Sequence, residues 1–282
     1  MNILKFLESF TNEDMLNSLQ SKGSRRDSFA QLQKMGAAAA VAAVPFGALF
    51  SQRANAATAS AAFSTAADTP TTALQLALTL EYLENEFYAI ALDTNGLIPA
   101  ADKTVIAQIA KHEKAHVAFL AGALKADAPA KPTFDFTGRK GDTNAIKAFD
   151  PFNDYPTFLA LSQAFEDTGV RAYKGQAGNL ISTPDLLQYA LQIHSVEAKH
   201  ASQIRRMRGQ KGWIVGNDRG GLPEQAQAVY DGEENTNQAG FNTASFAGTY
   251  SPAIPASAGA ESFDEAISGA TATAIASLFI VG

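Results

Sequence analysis

Glu113-Lys114-Ala115-His116 and Glu197-Ala198-Lys199-His200 are two copies of one pattern, Glu-x-x-His, set 84 residues apart. On a helix, a carboxylate and an imidazole at i and i+3 project from one face about one turn apart, so together they can grip a metal ion. Two such helices facing each other would hold two ions. The chain has only four histidines, and the pattern takes two of them. Carboxylate and imidazole donors suit iron and manganese. The absence of cysteine removes the thiolates that would favour copper(I) or structural zinc.

Each pair follows a helix-like segment with an isolated carboxylate. Leu74–Tyr88 carries Glu81, and Phe158–Tyr173 carries Glu166; each of these Glu residues has a Tyr seven positions on, Tyr88 and Tyr173. Seven residues is nearly two turns, so Tyr and Glu share a face. Glu81 precedes Glu113 by 32 residues and Glu166 precedes Glu197 by 31, which reads as one helical hairpin occurring twice. The helices are expected over about 71–93, 101–125, from after Asp154-Tyr155-Pro156 to about 177, and 184–208. Asn95-Gly96 stops the first, and the last is expected to open with Thr183 as its capping residue and Pro184 at its first position. Short loops make each pair an antiparallel hairpin. Residues 126–153, rich in Pro, Gly, Asp and Lys, are long enough to return along the bundle as a crossover.

These residues resemble the ferritin-like di-iron and di-manganese carboxylate bundles, over roughly residues 71–208. Their ligand set is one Glu from each of two helices and Glu-x-x-His from each of the other two. The resemblance implies an all-α four-helix bundle holding two Fe or two Mn ions on Glu81, Glu113, His116, Glu166, Glu197 and His200. The flanks, with Tyr230–Gly240 and the closing Ser262-Phe263-Asp264-Glu265 segment, are similar to bacterial ferritin-like proteins related to plant desiccation-related and fungal stress-response proteins.

Bridging glutamates would leave open positions where peroxide or dioxygen could bind both ions. The leading expectation is protective redox chemistry on those molecules, catalase-, peroxidase- or ferroxidase-like. Sequestration of metal without turnover is the alternative, and a vestigial site in a structural bundle is a third reading, opposed by the complete ligand set. The repeat also aligns Glu84 with Gly169, so the halves are not chemically equal. Three residues past a ligand, Glu84 stays near the site face, as a seventh carboxylate or as general acid or base; its alternative is solvent. Glu86 points off that face. His112 and His194 fall outside the pattern and read as surface or supporting residues. Tyr88 and Tyr173 are core aromatics or donors to a ligating carboxylate.

The whole chain has 282 residues, 46% of them hydrophobic, and a net charge of −6, which leaves no electrostatic footprint for nucleic acid. Residues 1–56 read as a targeting segment. Arg25-Arg26 precedes a weakly apolar stretch, 35–50, and then Ala54-Asn55-Ala56 before Ala57. This resembles a twin-arginine export signal, although Phe29 falls one position late, and it implies the export machinery as a partner and a periplasmic mature protein. The bundle is assigned to 57–210 and an extended wrap to 211–282. In that wrap Trp213 is expected to anchor to the bundle, and Ser262-x-x-Glu265 to open a short fifth helix with Ile267, Ile275, Leu278 and Phe279 on its apolar face.

Overall fold

In the computed structural model, which describes residues 69–246 and 255–281, four long helices make the bundle. The expected export segment lies outside the described residues. Helix α1, Pro70–Asp93, begins with a reciprocal cap: the Thr69 hydroxyl accepts from the Thr72 amide, and the Thr72 hydroxyl accepts from that of Thr69. Pro70 supplies a preset φ at the first position. Helix α2, Ala100–Leu124, follows Pro99. Helix α3, Tyr155–Gln176, is capped by Asp154, whose carboxylate accepts from the Thr157 amide at 2.9 Å. Helix α4, Pro184–Met207, starts after Thr183, whose hydroxyl turns back to donate to the Leu180 carbonyl and makes no cap bond.

Helix α1 packs mainly on α2 and α3 mainly on α4, with α1 and α3 in direct contact. Every residue of α3 from Phe158 to Tyr173 is buried. A helix buried on all sides must have neighbours on all sides. Its other faces are covered by the crossover and by the C-terminal extension. Phe87 of α1 meets Phe136 and Phe152 of the crossover and Phe158 and Phe165 of α3, with centroids 5.0–5.5 Å apart. Phe279, near the C-terminal end, meets Phe165 at 5.0 Å. The crossover is held by that same end, through Asp135 N–H to the Phe279 carbonyl at 2.7 Å and Val281 N–H to the Thr133 carbonyl at 2.9 Å.

The extension docks through Arg171 of α3, which is only 1% exposed. Its guanidinium donates to the carbonyls of Val229, Asp231 and Glu265 and pairs with the Glu233 carboxylate at 2.7 Å. Gly175 leaves room for the same strand of chain, since a Cβ there would lie 1.9 Å from the Ile267 carbonyl oxygen. Two short helices follow in the extension, α5 (Ser257–Ala260) and α6 (Gly269–Ala276).

Two expectations for this region are corrected. The last helix opens at Ser268, whose hydroxyl accepts from the Thr271 amide, and not at Ser262. Glu265 is drawn out of helix because its carbonyl is bound by Arg171, its amide by Glu233 and its carboxylate by Asn235 and Gln238. Trp213 is 47% exposed and donates to Glu261 at 2.7 Å, so it ties one part of the extension to another. Tyr230, wholly buried, anchors this part of the extension to the bundle instead, through Asp167 of α3.

Candidate metal centre

Helical periodicity brings the site together. Glu81, Glu84 and Tyr88 follow one another at i, i+3 and i+7 on α1, and Glu166, Gly169 and Tyr173 do so on α3. Glu113 and His116 come from α2, Glu197 and His200 from α4. The structure gathers all six expected ligands and Glu84. Glu81, Glu113, Glu166 and Glu197 are inaccessible to solvent, Glu84 is 3% exposed and His200 5%. The His116 side chain, at 11%, is where the cluster comes nearest to water.

Donor atoms fall into two groups, each spanning no more than 4.8 Å. Glu81, Glu113, His116 and Glu197 form one; Glu113, Glu166, Glu197 and His200 form the other. Glu113 and Glu197 belong to both. His116 Nδ1 has three carboxylate oxygens around it, of Glu81 at 3.2 Å and of Glu113 and Glu197 at 3.1 Å. His200 Nδ1 lies 2.9 Å from Glu113, 3.2 Å from Glu166 and 3.7 Å from Glu197. One ring N–H cannot serve three carboxylates, and Glu113 Oε1 and both Glu197 oxygens are buried with no hydrogen-bond partner. Buried charged oxygens in that state are costly unless a cation meets them. Donor atoms about 3 Å apart are what an ion with ligands at about 2.1 Å and right angles requires. The donor set is therefore compatible with a dinuclear site, with Glu113 and Glu197 common to its two halves.

Crowding shows in the protonation of these groups. Burial first, and then the Glu197 carboxylate, push Glu81 and Glu84 far above the usual carboxylate range. Burial also raises Glu166, to about 7, although His200 opposes it. Burial alone would depress His116, but the Glu113, Glu197 and Glu81 carboxylates gathered around its Nδ1 override it and push the imidazole up to about 12. His200 moves upward for the same reason, with Glu166 its strongest charge partner.

Both tyrosines donate to site carboxylates, and they do so crosswise. Tyr88 of α1 donates to Glu166 of α3 at 2.5 Å, and Tyr173 of α3 donates to Glu81 of α1 at 2.6 Å. Sharing a face with one Glu thus delivers each hydroxyl to the Glu of the other hairpin, which the linear pattern does not reveal. Glu84 is turned inward. A Cβ on Gly169 would sit 3.6 Å from a Glu84 oxygen and 3.6 Å from a Glu197 oxygen, so the missing side chain leaves space between the two carboxylates. Glu86, as expected, points elsewhere and pairs with Lys131 of the crossover. His112 lies against His200, while His194 is half-buried outside the cluster with its Nε2 unpartnered.

No curated protein matches the chain. The sequence pattern of the ferritin-like domain, however, matches residues 69–210, half of the chain and the part that holds all four long helices and every residue of this centre. With that match, the bundle and the twice-repeated Glu-x-x-His, the chain belongs to the ferritin-like domain family.

Proposed function

We propose that Glu81, Glu113, His116, Glu166, Glu197 and His200 bind two ions of iron or manganese, and that the loaded protein acts on peroxide or dioxygen in protection against oxidative or desiccation stress. The observation that carries this reading is the pair of shared carboxylates, Glu113 and Glu197, with three buried oxygens that receive no well-aligned hydrogen bond and meet only the shared imidazoles. Two adjacent ions of this kind supply Lewis acidity and electron exchange with a small oxygen species. The chain's own residues do the rest. Tyr88 and Tyr173 orient the Glu166 and Glu81 carboxylates by hydrogen bonds. Burial of the four ligating glutamates, all inaccessible to solvent, keeps bulk water from the centre. Glu84, buried beside the same carboxylates and holding its proton far above the usual range, is the group assigned to give and take protons during turnover. Export by the twin-arginine route, read from residues 1–56, would place this activity in the periplasm.

Metal analysis and peroxide consumption, measured on one sample of the full chain, test the reading. Two ions per chain and turnover are expected. Glu113→Ala should lose both ions and lower stability, because an ion that binds only the folded state stabilises it. Full metal in that variant would sink the ligand assignment. Glu84→Gln should keep two ions and slow turnover at least about tenfold. Wild-type turnover in Glu84→Gln would remove Glu84 from the chemistry, and two ions without turnover in the wild type would make this a sequestering protein.

A further inference from the structure

The two histidines of the centre are held differently on their outer sides. His200 Nε2, the nitrogen facing away from the carboxylates, lies 2.8 Å from His112 Nδ1. The rings are 12° from parallel with centroids 5.1 Å apart. That spacing is the N···N distance plus one ring radius at either end. The two nitrogens therefore lie near the line between the ring centres, and the hydrogen bond is close to straight, its strong geometry. His112 Nε2 continues outward to the Gln108 side-chain amide at 2.7 Å, and Gln108 is exposed. A line of three side chains thus runs from the α2 surface to the back of His200.

His116 has no such line. Among the described residues no protein group hydrogen-bonds its Nε2. The repeat explains the difference: one position before Glu113 stands His112, and one position before Glu197 stands Val196, which offers neither donor nor acceptor.

An imidazole binds a cation through an unprotonated nitrogen, so the ring proton must sit on the other one, and a fixed acceptor for that proton sets both tautomer and ring angle. We propose that Gln108 and His112 form an outer support that holds the His200 proton on Nε2, leaves its Nδ1 lone pair for an ion held among the Glu113 and Glu166 carboxylates, and makes the Glu166–His200 half of the centre the tighter of two unequal ion sites. This inference rests on the two-ion reading above. His112 accepts through Nδ1 and carries its own proton on Nε2, toward Gln108, whose amide presents its oxygen there once rotated by half a turn. His112 is a positioning residue; its Nδ1 is committed to His200, so it is no ligand.

Titration of the metal-free full chain with Mn²⁺, followed by competition with a chelator, measures both affinities. Two unequal ions are expected in the wild type. His112→Leu should weaken the tighter ion by about 10- to 100-fold and leave the other within about twofold. His112→Asn, whose Oδ1 takes the place of the lost Nδ1, should recover most of the loss, which a purely structural role for the ring would not produce. The His112→Leu effect should persist beside His116→Ala and vanish beside His200→Ala. Two equal ions in the wild type, equal weakening of both in His112→Leu, or no rescue by Asn would overturn the support while leaving the two-ion centre intact. A wild-type chain that holds no Mn²⁺ or Fe²⁺ would defeat the two-ion reading itself and this inference with it.

Discussion

Glu166 and Asp167 are neighbours on α3, both carboxylates and both buried to 1% exposure or less, yet they sit in opposite kinds of surroundings. Asp167 faces the C-terminal extension. Arg205 pairs with it, and the Tyr230 hydroxyl donates to it at 3.0 Å, while Gln163 donates to Tyr230 at 3.2 Å. Burial raises its pKa, but the Arg205 charge works against that rise. Glu166 faces four other carboxylates, with two imidazoles and two phenols as the company. One cluster carries its counter-charge in its own side chains, so it needs nothing from outside. The other has a surplus of acceptors over donors, an arrangement compatible with added cations. A buried acid thus marks a binding site when its partners fail to satisfy it, and burial alone does not separate the two cases.

The largest expected effect separates them by stability. Asp167→Ala leaves Arg205 buried without its partner and should cost about 3–5 kcal/mol, the usual penalty for half a buried pair. In a domain of this size that lowers the melting temperature by roughly 10 °C. Metal content should stay at two ions, and a variant that lost its ions but melted normally would break the contrast.

The sign reverses at the neighbouring position. Glu166→Gln removes a charge that the metal-free protein accommodates poorly and keeps an acceptor for Tyr88. It should stabilise the metal-free form at pH 7.5 by about 1–3 kcal/mol, the worth of one to two pKa units. The same change should lower metal content below two. Thermal melts with and without chelator check both halves of that statement, and destabilisation of the metal-free variant would show that the carboxylate is already satisfied.

A smaller effect sharpens the contrast by pH. Glu81, Glu84, Glu166, His116 and His200 all hold protons more tightly in the folded metal-free protein than ordinary groups do. Stability from such groups is complete below their unfolded pKa and lost as pH rises through the folded one. For Glu166 the window runs from its ordinary 4.5 to about 7. The metal-free melting temperature should therefore fall by about 5 °C across that range. With ions present the trend should flatten or invert, because the ligands must be deprotonated to bind. Parallel pH curves with and without metal would count against the site.

Much of this centre was legible in the sequence because helical spacing is local. Glu113 with His116, Glu197 with His200, and the matched intervals to Glu81 and Glu166 need only the period of a helix to be read. Glu84 against Gly169 was readable in the same way, from the imperfect repeat, and the structure turns that carboxylate inward. What escaped depends on contacts between distant elements. Ser262 and Glu265 carry a sound local capping signal, but Arg171, Glu233, Asn235 and Gln238 offer Glu265 better partners than a helix would. Trp213 was favoured as an anchor for its size, while Tyr230 holds that role because its hydroxyl reaches Asp167. His112 carried a weak signal, standing four residues before His116, but only the approach of α4 brings it to His200.

The crossed tyrosines carry a consequence for how such a molecule is put together. Each hairpin brings carboxylates whose orientation is completed by a hydroxyl from the other hairpin. Two identical copies of a single hairpin, related by a two-fold axis, would satisfy the same exchange, with residue i reaching j and j reaching i. The chain thus has the internal logic of a symmetric dimer made continuous by residues 125–154. Because the donation is mutual, neither hairpin can finish its own half in isolation. Joining the copies also freed them to differ, and Glu84 beside Gly169, with His112 opposite Val196, is the asymmetry that a true dimer could not have held.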